Sequence, residues 1–543
     1  MTHKRTADII IQALELEGIT YIFGVPGEEN LHILDAIGAS NKIKFVVTRH
    51  EQAAGFMAAT IGRLTGKPAV ALSTLGPGAT NLMTAAAYAQ LGAMPLLMLT
   101  GQKPIKHSKQ GAFQIIDIVD MMQPLTKFSK QLVEGSVAPS YVREAVRISS
   151  EERPGAALIE IPEDVAEEQS NAQPIEPSYS RRPIAEEKSI KKLAELLTAA
   201  HKPLVIIGAG ANRKRTSNML TQFVKEYHIP FVDTQMGKGV VDEALPEFAG
   251  TAALSSGDYV HRTIEQADLI LNVGYDSVEK PPFIDNGEQT IVHINFSSAV
   301  VNEIYHPEYE VIGDVANAIW QLMERLKDQK TVFSFDTKYH HDNIQKLQHT
   351  FSHQVKSATT LTPQVIVHTL RSLWPASGTV TLDNGMYKIW FARHFQTTFE
   401  NSLLLDNALA TMGAGLPSAI AAKIEQPDKP VAAVIGDGGF MMNSQELETA
   451  IRLKLDLTIL ILNDGAYQMI KWKQQSSGLK DFGLTFNNPD FVKLASSYGA
   501  KAHTATNSQE LEQAIQASLS SGTVDVINVH IDYNSSAKDL EIT

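Results

Sequence analysis

The chain reads as an α/β protein built from three doubly wound parallel-sheet domains. Three observations predict this. Short apolar runs alternate with helical stretches three times over. Two polar, helix-breaking or charge-rich segments separate the blocks. The length, 543 residues, exceeds what one core supports and suggests roughly three or four domains.

The first block, residues 1–170, has strand-like runs at Tyr21–Phe23, Phe45–Val47, Ala69–Ser73, Pro95–Leu99 and Ala157–Ile161. Residues 168–188, with Pro174, Pro177 and Pro183, read as a linker. The second block, 188–325, opens with a helix near Ser189–Ala200 and continues through strands at Pro203–Ile207, Pro230–Val232, Leu269–Val273 and Thr290–Ile294. Residues 326–360 are rich in Lys, Gln and His and read as a second linker with some helix. The third block, 360–535, starts a helix at Thr362-Pro363 and places strands at Thr379–Leu382, Ser402–Leu405, Ala432–Ile435, Thr458–Leu462 and Val526–His530. The first and third blocks show no sequence repeat.

Composition excludes several classes. Apolar content is 43% and charged content 20%, as in a soluble globular protein. A net charge of −13 argues against nucleic acid or an anionic membrane as partner. There is no cysteine, hence no disulfide, thiolate metal site or cysteine nucleophile. No segment reaches the roughly 18 apolar residues of a membrane span, and the N-terminus has no signal-like apolar region. A cytoplasmic enzyme is the expectation.

The most telling stretch is Gly436-Asp437-Gly438-Gly439-Phe440-Met441-Met442-Asn443 followed by Asn463-Asp464-Gly465-Ala466-Tyr467. Each acidic group ends an apolar run. If those runs are parallel neighbours, about 5 Å apart, residues 441–455 supply the crossover helix and the two carboxylates share one strand end. Paired carboxylates beside glycine amides suit a hard cation that carries a diphosphate. Asp437, Asp464 and a main-chain carbonyl from Ala466 are the expected Mg²⁺ ligands. Gly438 and Gly439 let amides approach the phosphate. Gly-Asp-Gly alone is most often a turn; the second strand end makes it specific.

With Asn463 placed 26 residues after Asp437, this layout resembles the cofactor motif of thiamine diphosphate (ThDP) enzymes. From about residue 5 to 533 the chain resembles their acetolactate synthase-like branch. The resemblance rests on Phe23-Gly24-Val25-Pro26-Gly27, Arg49-His50-Glu51-Gln52-Ala53-Ala54, Gly76-Pro77-Gly78-Ala79-Thr80-Asn81, Gly111-Ala112-Phe113-Gln114 and Thr411-Met412-Gly413-Ala414-Gly415. It implies that Glu51 is the catalytic glutamate, hydrogen-bonding the aminopyrimidine of the cofactor. From position alone Glu51 reads more readily as a helix-start carboxylate answering the dipole. The resemblance also implies that Met412 holds the cofactor bent and that main-chain groups of Ala410 and Met412 bind the pyrimidine edge. Gly27, Asn384, Gly385, Tyr467 and Met469 are further cofactor contacts by the same resemblance. Phe113 and Gln114 are expected on the substrate side; Phe113 is as readily core, and Gln114, if buried, needs partners.

Three segments point within the family to the catabolic, FAD-independent acetolactate synthases: Asp383-Asn384-Gly385-Met386-Tyr387-Lys388-Ile389-Trp390, Gly274-Tyr275-Asp276-Ser277-Val278-Glu279, and Asn463-Asp464 where Asn-Asn is usual. The cofactors implied are ThDP and Mg²⁺, with FAD not expected. Gly208-Ala209-Gly210 departs from a dinucleotide fingerprint and reads as a turn. The reaction implied is decarboxylation of pyruvate and carboligation to a second pyruvate, giving 2-acetolactate, in a homodimer or homotetramer with shared active sites. Lys473 falls where biosynthetic enzymes carry a tryptophan that selects 2-ketobutyrate, which leaves the acceptor open; it also reads as a solvated helix residue. Another ThDP-dependent 2-oxo acid decarboxylase or carboligase, or a non-catalytic homologue, remains an alternative.

Overall fold

The computed structural model describes residues 4–106, 111–178, 182–255, 257–279, 289–301, 305–329, 335–336 and 338–534. Three six-stranded sheets are present, and every strand pair within them is parallel.

The first sheet contains β1 (Tyr21–Gly24), β2 (Lys44–Val47), β3 (Ala69–Ser73), β4 (Leu96–Gln102), β5 (Phe128–Gln131) and β6 (Ala156–Pro162), in the order β2-β1-β3-β4-β6-β5. Its central strands β3, β4 and β6 are buried along their whole length. Helices cover both faces of such a strand, so it reads as an unbroken apolar run rather than an alternation. Helix Glu51–Thr65 lies directly on this sheet. A Cβ on Gly62 would come within 1.9 Å of the Pro95 carbonyl oxygen, so only glycine permits the approach.

The second sheet contains β7 (Pro203–Ile207), β8 (Phe231–Thr234), β9 (Phe248–Ala252), β10 (Leu269–Val273), β11 (Thr290–Asn295) and β12 (Tyr309–Ile312). Their order, β9-β8-β7-β10-β11-β12, is that of a Rossmann-type doubly wound sheet. Two apolar clusters lie on its two faces, one around Leu193, Phe223, Phe231 and Ile319, the other around Ile206, Ile270 and Tyr305.

The third sheet contains β13 (Thr379–Leu382), β14 (Leu403–Leu404), β15 (Val431–Gly436), β16 (Leu457–Asn463), β17 (Lys501–Ala505) and β18 (Val524–His530). Its order, β14-β13-β15-β16-β18-β17, repeats that of the first sheet although the two blocks share no sequence repeat.

The chain forms two compact units. One comprises residues 1–180, 409–427 and 442–455; the other comprises 181–408, 428–441 and 456–543. Parts of the third block thus belong to the first unit, where Thr60 Oγ1 bonds Ser418 Oγ at 3.0 Å across helices Glu51–Thr65 and Gly415–Glu425.

Two expectations are corrected. The described residues of 326–360 are mostly helical, in Val315–Gln329 and Lys338–Ser357, where the sequence suggested a linker with some helix. The second helix looks like a linker because it buries few positions, among them His340 and Leu347, so its sequence stays polar. The crossover at 441–455 is two short helices, Asp437–Asn443 and Glu446–Arg452, rather than one. The helix start at Thr362-Pro363 is as expected, with Thr362 Oγ1 accepting from the Val365 amide.

Candidate cofactor site

In the second unit, β15 and β16 are parallel neighbours in register, Gly436 facing Leu462. Asp437 and Asp464 therefore stand at the same ends of adjacent strands. Asp437 is buried and heavily bonded. Its Oδ1 accepts from the Gly438 amide at 2.8 Å; its Oδ2 accepts from the Asp464 amide at 3.1 Å, the Gly465 amide at 2.7 Å and Asn488 Nδ2 at 2.7 Å. The tight turn after Asp464 needs a left-handed residue, and Gly465 supplies it at φ 66°.

Burial, and next the neighbouring Asp437 charge, push the Asp464 carboxyl up to about 7; the Ala466 amide partly offsets them. Two carboxylates crowded in this way fit a divalent cation that relieves their repulsion. Among the described residues no group of three or more His, Cys, Asp or Glu could hold a metal. A two-carboxylate set instead suits a cation completed by a main-chain carbonyl and phosphate oxygens. The Ala466 carbonyl accepts from the Gln468 amide at 3.0 Å and retains a second lone pair. One further observation supports the fit: Asn488 Oδ1 is buried with no hydrogen-bond partner.

Tyr387 fixes the approach to Asp437, since its hydroxyl accepts from the Gly436 amide at 3.1 Å. Its ring lies where a Cβ on Gly385 would fall, 2.4 Å from Cε1. Asn384 Oδ1 accepts from Lys388 Nζ at 2.9 Å. Tyr467 is partly exposed with its ring 4.9 Å from Phe486, and Met469 packs against the core of this unit. Trp472 faces that same core. Lys473 is exposed, its ammonium 4.4 Å from the Trp472 ring centroid.

In the first unit, Glu51 opens its helix behind His50, whose Nδ1 accepts from the Gln52 amide. Glu51 Oε2 accepts from Asn81 Nδ2 at 3.0 Å, and a Cβ on Gly78 would lie 3.3 Å from Oε1. Helix Glu446–Arg452 braces this strand-to-helix turn: Glu446 Oε1 accepts from the Arg49 amide at 3.0 Å, and Arg452 donates to the Val47 carbonyl. Asn443 Nδ2 reaches Gln52 Oε1 at 3.1 Å and the Gly413 carbonyl at 2.7 Å. It thereby ties the Ala410–Gly413 loop to the residue beside Glu51. Ala410 in that loop has φ 54°, and Met412 is half-buried.

Gly27 packs so closely on Thr74 that a Cβ would fall 2.4 Å from the threonine Cβ. Gln114 is exposed with φ 59°, so the argument from a buried amide does not apply; it arches over Gly76 instead. Phe113 is also exposed, at 63%, and is not core. Sequence reasoning assigned no role to Asn81, Asn443 or Asn488. The signal is a side-chain amide donating to a carboxylate, as in Asn81 and Asn488, or to carbonyl oxygens, as in Asn443, and it becomes visible only in three dimensions.

The glycine loop after β7 is self-contained. The Ala209 amide donates to Glu279 Oε1 at 2.7 Å, the Gly208 amide to the Val273 carbonyl and the Gly210 amide to the Gly274 carbonyl. Thr234 donates to the other Glu279 oxygen. Burial pushes the Glu279 carboxyl up to about 7.

Three parallel α/β sheets of this kind are the architecture of a ThDP-dependent enzyme. Three family models agree: "Thiamine pyrophosphate enzyme, N-terminal TPP binding domain" over residues 4–121, "central domain" over 190–322 and "C-terminal TPP binding domain" over 383–529. Acetolactate synthase of Bacillus subtilis is 31% identical over 545 residues, covering 98% of this chain and 94% of that protein. Catabolic acetolactate synthase of Raoultella terrigena is 30% identical, covering 97% and 95%. The acetolactate synthase isozyme 1 large subunit of Escherichia coli is 29% identical, covering 98% and 95%. The chain belongs to the acetolactate synthase family of ThDP-dependent carboligases. Identity alone does not separate its branches, since these values lie within two percentage points.

Proposed function

We propose that this chain is an FAD-independent acetolactate synthase of the catabolic type. It would join two pyruvates into 2-acetolactate with release of carbon dioxide, using ThDP and Mg²⁺. The observation that carries the reading is the side-by-side placement of Asp437 and Asp464 at adjacent strand ends.

Asp437, Asp464 and the Ala466 carbonyl would hold the cation, and Gly438 and Gly439 would present amides to the diphosphate. When bound, ThDP supplies the electron sink that makes decarboxylation of a 2-oxo acid possible. Glu51 holds or releases a proton at the aminopyrimidine, with Asn81 orienting its carboxyl. Main-chain groups of Ala410 and Met412, and the Met412 side chain, would seat the ring. Gln114, Phe113 and Lys473 are the candidates for substrate contact. Two features favour independence from FAD: the β7 loop amides are bonded internally, and Glu279 places a carboxylate where an anionic nucleotide would need donors.

Exposed apolar side chains support association into a dimer or tetramer. They include Phe113 and Met442 in the first unit and Ile470, Leu479 and Phe482 in the second, Phe482 being 85% exposed. Among the described residues no helix is long and apolar enough to cross a membrane, and we read the enzyme as cytoplasmic.

The test is incubation of purified protein with pyruvate, Mg²⁺ and ThDP without FAD, with acetolactate measured as acetoin after acid decarboxylation. Product formation supports the reading. Pyruvate loss to acetaldehyde alone makes the protein a decarboxylase, and no pyruvate loss overturns the assignment of substrate.

A further inference from the structure

Asn488 lies far along the chain from both carboxylates. It follows a segment laced to the Asp464 turn: Ala466 and Thr485 form an antiparallel bridge, the Phe486 amide donates to the Gly465 carbonyl at 3.2 Å, and the Tyr467 amide donates to the Leu484 carbonyl at 3.0 Å. This lacing delivers the Asn488 amide to the strand ends. Both hydrogens of Nδ2 are used there, one on Asp437 Oδ2 at 2.7 Å and one on Asn463 Oδ1 at 2.9 Å. Asn463 in turn donates to Asn528 Oδ1 at 3.1 Å, which anchors the arrangement on β18. The remaining atom, Asn488 Oδ1, is buried and accepts nothing.

A buried amide oxygen without a donor is costly unless something completes it. An amide oxygen is an acceptor, so the missing partner carries a proton or a positive charge. The geometry points to Asn488 as a positioning residue of the divalent-cation site. Its N–H groups hold Asp437 and Asn463 in place, and its Oδ1 accepts from a water of the ion's hydration shell. This rests on the reading of Asp437 and Asp464 as cation ligands. Partners that orient a ligating carboxylate matter for metal affinity, and losing one typically costs about 10–100-fold.

The experiment titrates the full-length protein, saturated with ThDP and freed of metal, with Mn²⁺ and follows the free-ion signal by electron paramagnetic resonance. Asn488→Ala is expected to weaken Mn²⁺ binding by about 10–100-fold, while Asn487→Ala, next to it and exposed, leaves affinity unchanged. Asn488→Ser is read by the same criterion if the alanine variant does not fold. A residue that only staples the loop lowers the melting temperature of the metal-free protein and leaves the Mn²⁺ Kd in place; that result overturns the proposal. Wild-type protein that binds no Mn²⁺ removes the cation reading itself. Normal wild-type binding with unchanged variants removes only the role of Asn488.

Discussion

The side-chain amide of Asn81 donates to Glu51 Oε2 at 3.0 Å, joining the short helix Pro77–Asn81 that follows β3 to the first residue of helix Glu51–Thr65. A carboxylate held at one oxygen keeps its other oxygen aimed in one direction. Glu51→Gln is expected to lower kcat by about 10²–10⁴-fold, the usual worth of a positioned acid or base, without loss of the fold. Asn81→Ala keeps the carboxyl but frees its orientation, and is expected to lower kcat by about tenfold. Steady-state kinetics beside a circular dichroism spectrum checks both. Full turnover by Glu51→Gln removes the relay role.

The folded structure raises the Asp464 pKa from its ordinary 3.8 to about 7. Between those values the metal-free folded state holds more protons than the unfolded one, so this group makes stability fall as pH rises toward 7. Its full cost is present above 7. Asp464→Asn is therefore expected to raise the melting temperature of the metal-free protein at pH 8 and to flatten its slope between pH 4 and 7. Cation binding must also expel the proton, so Mg²⁺ affinity of the wild type falls below pH 7. Calorimetry in buffers of different ionisation enthalpy should show proton uptake by the buffer near pH 6.5 for wild type and much less for the variant.

Glu279 follows the same sign, again chiefly through burial, here with the Ala209 amide and Thr234 hydroxyl as partners. Its pKa rises from 4.5 to about 7, so its contribution to stability falls as pH rises across that interval. Glu279→Gln can keep the bond from the Ala209 amide and carries no charge. It is expected to match wild type at pH 5 and to exceed it at pH 8. Glu279→Ala leaves that amide unpaired beside a cavity and costs about 2–4 kcal/mol. Urea melts at the two pH values separate these outcomes; a glutamine variant weaker than wild type at pH 8 contradicts the account.

Arg393 and Asp258 form a buried ion pair at 3.1 Å, with side-chain exposures of 3% and 1%. Asp258 also accepts from the amides of Ala253, Leu254 and Tyr259, capping helix Tyr259–Gln266. Arg393→Met removes the cation and leaves the carboxylate buried, at a cost of about 3–5 kcal/mol. Chemical denaturation measures it, and a change below about 1 kcal/mol, the scale of an exposed pair, would show the pair to be dispensable.

All the inner strands of the three large sheets were legible in the sequence, together with two edge strands, β2 and β14. Ala69–Ser73, Pro203–Ile207, Leu269–Val273 and Thr379–Leu382 stand as their apolar runs indicate. In the three six-stranded sheets the four that escaped, β5, β9, β12 and β17, all lie at sheet edges. An edge strand has one neighbour, and three of these four are partly solvated, with Lys130, Glu310 and His503 breaking the apolar pattern. In β9 the residues are small, Ala249, Gly250 and Ala252 among them, and imitate a turn.

By itself the sequence determined the three-block α/β order and the two acidic strand ends, because apolar runs and glycine turns are encoded within a few consecutive residues. Only the tertiary structure decided which polar groups meet. Asn488 reaches Asp437 across 51 residues, Asn443 reaches Gly413 across 30, and Glu279 reaches Ala209 across 70. A polar residue in a loop carries the same local signal whether it faces water or a buried carboxylate. Chain folding supplies the partner, and with it the orientation on which the proposed chemistry depends.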